Sequence, residues 1–141
     1  MAYQSLTIPA NAAVLEIGSG SGAITRYFGE CAGSVLAVEG SPRRAAMTRL
    51  RTRDLHNVSV LCATFERVRF ARRFDIVVCN GVLEYASLFM PGDDPAGRML
   101  EMLSELLNPT GTLLVAIENK FGLRVLQQRP RRAHRRRVRR S

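Results

Sequence analysis

Two carboxylates and three glycines are the residues of this chain most suited to chemistry. Residues 14–22 read VLEIGSGSG: an apolar run that holds Glu16, then Gly18, Gly20 and Gly22 at alternate positions. Glycine admits a left-handed backbone and lets a ligand lie against bare main chain, with free N–H groups at the start of a following helix. A second apolar run, SVLAV, ends on Glu39. A carboxylate there offers two oxygens to two vicinal hydroxyls, the pattern of a ribose. Apolar run, glycine turn and acid together are suited to holding a nucleotide-type cofactor. Read as GxGxxA over Gly18–Ala23, the turn also fits a dinucleotide site, so the motif alone leaves the cofactor open.

These residues need a scaffold, and the pattern predicts one. Val14–Ile17, Ser34–Val38, Asn57–Leu61, Phe74–Cys79 and Gly111–Ile117 read as strands. Ala23–Cys31 reads as a helix. A second helix starts at Ser41-Pro42, a good N-cap followed by a good first helical residue, and runs to about Arg53. Pro95–Leu107 is a third, its Met99, Met102, Leu103 and Leu106 at helical spacing forming core rather than a cofactor box, and Asn108–Gly111 is a turn. Strands alternating with helices predict an α/β fold: a doubly wound, mostly parallel sheet with right-handed crossovers. Ligands on such sheets bind beyond the carboxyl ends of the strands, where the strand order reverses. The first and fourth strands are expected to flank that point.

A length of 141 residues, 46% of them hydrophobic, is enough for one domain with a core. No apolar run approaches the roughly 18–20 residues of a membrane span, and the N-terminus lacks the pattern of a signal peptide, so a cytoplasmic location is expected. Cys31, Cys62 and Cys79 have no CxxC spacing and read as buried, reduced thiols with no metal site. The net charge of +9 is unevenly spread: residues 124–141 hold nine arginines and no acid, and residues 1–123 are formally neutral. His56 precedes a strand and reads as a surface residue.

Four ordered motifs carry a family resemblance over about residues 13–120. ExGxGxG at Glu16–Gly22, VLAVEGS, FDIVVCNGVLEYA (Phe74–Ala86) and LLNPTGTLLVAIEN (Leu106–Asn119) resemble motifs of Rossmann-fold S-adenosylmethionine (SAM)-dependent methyltransferases. The resemblance implies SAM as cofactor. It brings Gly18, Ser19, Gly20 and Gly22 to the amino-acid and ribose moieties, and Glu16 to the methionine end through water or a backbone amide. Glu39 would take the ribose hydroxyls, with Gly40 and Ser41 beside the adenine. Thr64 stands where the family usually has an acid or Asn for the adenine amino group. Phe65 stacks or packs there, and Asn80 bounds the methionine and acceptor side. Glu84 and Tyr85 follow the fourth strand, where a base or acceptor contact sits, but no catalytic residue is assigned. IENKFGL and EGSPRRA resemble a subgroup associated with bacterial surface polysaccharides, which implies a glycan or other small-molecule acceptor.

The family's sheet has seven strands and this pattern supplies about five. Residues 1–123 are therefore expected to be an incomplete cofactor domain of uncertain turnover. Residues 124–141 are expected to be a disordered arm without strands, either binding nucleic acid electrostatically or arising from a shifted reading frame in GC-rich DNA. An open fifth strand, TLLVAI, would then promote self-association. The competing readings are a nicotinamide-dinucleotide oxidoreductase and a nucleic-acid module acting through the arginines.

Overall fold

The computed structural model describes residues 7–117 and 124–128. Its strands are β1 (Ala13–Ile17), β2 (Ser34–Glu39), β3 (Val58–Cys62), β4 (Phe74–Asn80), β5 (Leu107–Ile117) and β6 (Arg124–Gln128). The helices are α1 (Ala23–Cys31), α2 (Pro42–Arg51), the short α3 (Ala86–Phe89) and α4 (Pro95–Glu105). One sheet runs in the order β3-β2-β1-β4-β5-β6. Pairings among β1–β5 are parallel, and β6 is antiparallel to β5. The order reverses between β1 and β4, as the sequence predicts.

Both sheet faces are covered, which explains the unbroken apolar runs. Alternate residues of β1 serve opposite layers. Val14 joins Phe28, Val35, Ile76 and Val78 in the cluster on the α1 side. Leu15 and Ile17 join Val77, Cys79, Met99 and Leu103 in the cluster under α3 and α4. Asn57 fastens the first layer by donating its amide to the carbonyls of Gly29 and Ala32 at the end of α1, both at 2.9 Å.

Three expectations are corrected. The predicted turn at Asn108–Gly111 belongs to β5. Asp75 draws it in: one carboxylate oxygen accepts from the Asn108 amide at 2.7 Å and the other from the Ala13 N–H at 2.8 Å, beside a register irregularity between Phe74 and Ile76. The thiols differ from one another, since Cys79 is buried whereas Cys31 and Cys62 are exposed. The denial of strands beyond residue 123 also fails, because Arg124–Gln128 pair with β5 from Leu113↔Gln128 to Ile117↔Arg124. The open backbone groups of a strand edge are a template that recruits a segment of little apolar pattern. That pairing covers the β5 edge and removes the basis given for self-association through it. Residues 129–141, and with them most of the proposed arginine arm, lie outside the described residues. Among the described residues no helix is long and apolar enough to cross a membrane, and no group of acidic, His and Cys side chains is placed to hold a metal ion.

Candidate functional site

The carboxyl ends of β1, β2 and β4 open into a cleft made of two adjoining cavities of about 590 and 510 Å³. They share Gly18, Glu39, Arg44, Gly81, Val82 and Tyr85. Glu39, 3% exposed, is the hub. Its Oε2 accepts from the Gly20 N–H at 2.8 Å, and its Oε1 from the Ser41 N–H at 2.8 Å and Arg44 Nε at 3.1 Å. Three donors hold the carboxylate in one orientation at the cleft. The Arg44 side chain is 62% exposed, so this ion pair adds orientation more than stability.

The glycines of the turn have different duties. Gly20 has φ +57° and its missing Cβ would meet nothing within 4 Å, so the open space beside its backbone belongs to the cleft. Gly22 has φ +81° and a Cβ there would stand 2.8 Å from the Thr48 Cα of α2. Its smallness serves the close approach of two helices, and it lines neither cavity. Thr48 completes the support by donating its hydroxyl to the Gly20 carbonyl at 3.1 Å and sharing a hydrogen bond with the Ser19 hydroxyl at 3.1 Å.

Glu16, 1% exposed, lines the second cavity. Burial pushes its carboxyl up to about 7; the hydroxyl of Thr25, donating at 2.5 Å, lowers it, and the charge of Glu39 adds to the rise. Ser19, Gly20 and Asn80 line the same cavity, whereas Gly40, Ser41, Thr64 and Phe65 line the first. The Thr64 hydroxyl oxygen is buried without a hydrogen-bond partner among the described residues. A buried polar group in that state costs about 1–3 kcal/mol unless a ligand satisfies it.

The far wall is apolar. Val82, Tyr85, Leu88, Phe89 and Met99 line the first cavity, with Tyr85 57% and Leu88 75% exposed. Met99 is core, as predicted, and lies at the cavity as well. Glu84 lines the second cavity, beside Asn80. His56 is exposed, as the sequence suggests, and does not line the cleft. Sequence reasoning missed Arg44 and the wall at Leu88 and Phe89. The signal for Arg44 was present, since a helix beginning at Pro42 places its first turn directly after Glu39.

Residues 15–113, from β1 to the middle of β5, match the family model described as a methyltransferase domain. The chain belongs to that family. This methyltransferase domain is 30% identical over 118 residues to a ubiquinone biosynthesis O-methyltransferase of Rhodopseudomonas palustris strain BisB5, covering 83% of this chain and 44% of the relative. It spans less than half the length of the curated relatives that it matches. Among solved structures, the N-methyltransferase NodS of Bradyrhizobium japonicum WM9, in complex with S-adenosylhomocysteine, superposes with a TM-score of 0.67 at 22% identity, over 76% of this chain and 53% of that one. Phosphoethanolamine N-methyltransferase 1 of Haemonchus contortus, bound to phosphoethanolamine and S-adenosylhomocysteine, gives 0.74 at 20% identity, over 84% of this chain and 25% of that one. The methyltransferase domain thus shares its fold with enzymes of varied acceptors.

Proposed function

We propose that this chain is the cofactor-binding part of a SAM-dependent methyltransferase whose acceptor is a small molecule with an apolar body. The observation that carries the reading is Glu39, held by the Gly20 and Ser41 N–H groups at the end of β2 and lining both cavities of the cleft. The donor set fits the cofactor's parts. Glu39 accepts from the ribose hydroxyls, Gly40 and Ser41 lie along the adenine, Thr64 meets its amino group, and Phe65 lies against the ring. Glu16, Ser19 and Asn80 face the methionine end.

SAM supplies a methyl group already activated on a sulfonium, so the protein's task is mainly positioning; a well-oriented pair of reactants gains roughly 7–11 kcal/mol in favourable cases. Val82, Tyr85, Leu88, Phe89 and Met99 exclude water and hold the acceptor's apolar part. The Glu84 carboxylate, lining the adjoining cavity, is the group to which a proton leaving the acceptor would pass. The wall suits an aromatic or alkyl-bearing hydroxy compound better than a glycan, in keeping with the O-methyltransferase relatives. Calorimetric titration with S-adenosylhomocysteine, with NAD as control, tests the cofactor reading. Binding of the first and not the second is expected; no binding of S-adenosylhomocysteine, or preference for NAD, overturns it.

A further inference from the structure

Helix α2 has an outer face that the cleft does not use. Ala45 and Thr48 within it, and Thr52 at its C-cap, are buried against the body. The opposite face carries Arg43, Met47 and Leu50 at i, i+4 and i+7; Arg51 ends the helix and Arg53 lies in the turn that follows. Met47 is 46% exposed and Leu50 64%. Apolar side chains amid arginines on a helix surface gain nothing from water. Arg43 and Arg51 make no ion pair among the described residues. Asp54, the acid at the end of this face, is held by Arg26 at 2.6 Å, and Arg26 also takes Glu30 at 2.7 Å, so the nearby acids are engaged.

The surrounding charge has the same sign. Residues 42–73 hold nine arginines against two acids, whereas residues 74–117 hold one arginine against six acids. Around α2 itself, residues 42–54 hold five arginines against one acid, whereas Arg72 and Arg73 bond Ser34 and Leu107 elsewhere on the sheet. A strongly basic surface attracts a polyanion. Two exposed aliphatic side chains at its centre, with no aromatic ring in α2 for a base to stack on, favour a lipid interface over a nucleic acid.

We propose that the outer face of α2 is a docking surface for an anionic phospholipid bilayer. Met47 and Leu50 enter the headgroup region, and Arg43, Arg51 and Arg53 meet lipid phosphates. This mode leaves the helix lying on the membrane, and it does not depend on the identity of the cofactor.

The sequence has no tryptophan, so Leu50→Trp in the full chain gives a reporter on this face alone. Vesicles of equal parts phosphatidylglycerol and phosphatidylcholine should shift its emission to the blue, and pure phosphatidylcholine should not. Adding Arg43→Gln, Arg51→Gln and Arg53→Gln should weaken partitioning on the order of a hundredfold, at roughly fivefold per arginine near an anionic surface. Flotation of the unmodified chain against the triple arginine variant repeats the test without the reporter, and Met47→Ser with Leu50→Ser should leave binding weaker and more sensitive to salt. Flotation without a blue shift that survives the triple variant would assign binding to the arginines beyond residue 128 and overturn the proposal. So would equal binding to neutral vesicles, no binding to either vesicle, or α2-dependent binding to a single-stranded RNA in place of vesicles.

Discussion

The two walls of the cleft are built on different principles. On the β1–β2 side, Glu39 meets three donors, Gly20 is held by Thr48, and Gly22 lets α2 approach within contact of the turn. On the side that follows β4, a 3-10 turn at Leu83–Tyr85 and the four-residue α3 present Tyr85, Leu88 and Phe89, of which Leu88 is the most exposed and Phe89 the least. The first wall is specified by directional bonds and tolerates little change. The second is specified by apolar character and can vary with the acceptor. That contrast suits a family in which one cofactor serves many acceptors.

The contrast can be broken most directly at Glu39. Glu39→Ala removes the shared acceptor of Gly20 and Ser41 and should weaken S-adenosylhomocysteine binding about a hundredfold or more by calorimetry, since hydrogen bonds to charged groups are worth roughly 1.5–3 kcal/mol each. Unchanged affinity would mean that the directional wall does not hold the ribose. Next in size is the difference between two glycines. Gly22→Ala should lower unfolding free energy by about 2–4 kcal/mol, from positive φ together with collision against α2, as read in a urea titration. Gly20→Ala should cost only about 1 kcal/mol in folding, the cost of positive φ, while impairing cofactor binding more than Gly22→Ala does among folded molecules. Equal stability losses would sink the assignment of separate duties.

A smaller effect tests the buried acid between the walls. Because the folded-state carboxyl of Glu16 is raised to about 7 from 4.5, the favourable protonated form is fully present below about 4.5, and stability falls as pH rises through 7. The loss for this group is roughly 3 kcal/mol, by linkage at about 1.4 kcal/mol per pH unit. Glu16→Gln should flatten this part of the stability profile and be the more stable protein at pH 8. A wild-type profile that rises over the same interval, with Glu16→Gln rising alike, would show that Glu16 is not the group responsible. The smallest effect belongs to the apolar wall. Leu88→Ser should change unfolding free energy by no more than about 0.5 kcal/mol and leave S-adenosylhomocysteine affinity unchanged. A large loss of either would show that the second wall is as closely specified as the first.

The elements that make the cleft were legible because each carries a strong local signal. VLEI, SVLAV and FDIVVC are buried runs of strand length, Ser41-Pro42 marks a helix start, and glycines mark the turn. Ends were less legible. Asn108–Gly111 has turn chemistry, yet Asp75, distant in sequence, bonds Asn108 and holds the segment in β5. The thiols were misjudged as a group because burial depends on place in the fold: Cys79 lies in the interior strand β4, whereas Cys62 ends the edge strand β3 and Cys31 ends α1.

By itself the sequence determined an alternating parallel α/β sheet and a glycine turn paired with an acid at the end of the next strand. Both follow from local conformational preference and from the period of apolar residues, which any segment carries with it. Tertiary structure alone decided that β6 closes the β5 edge, that Gly22 packs against Thr48, and that Asp75 draws Asn108 into β5. Those outcomes depend on which distant groups meet across the sheet order β3-β2-β1-β4-β5-β6, and contacts of that kind leave no local mark on the residues that make them.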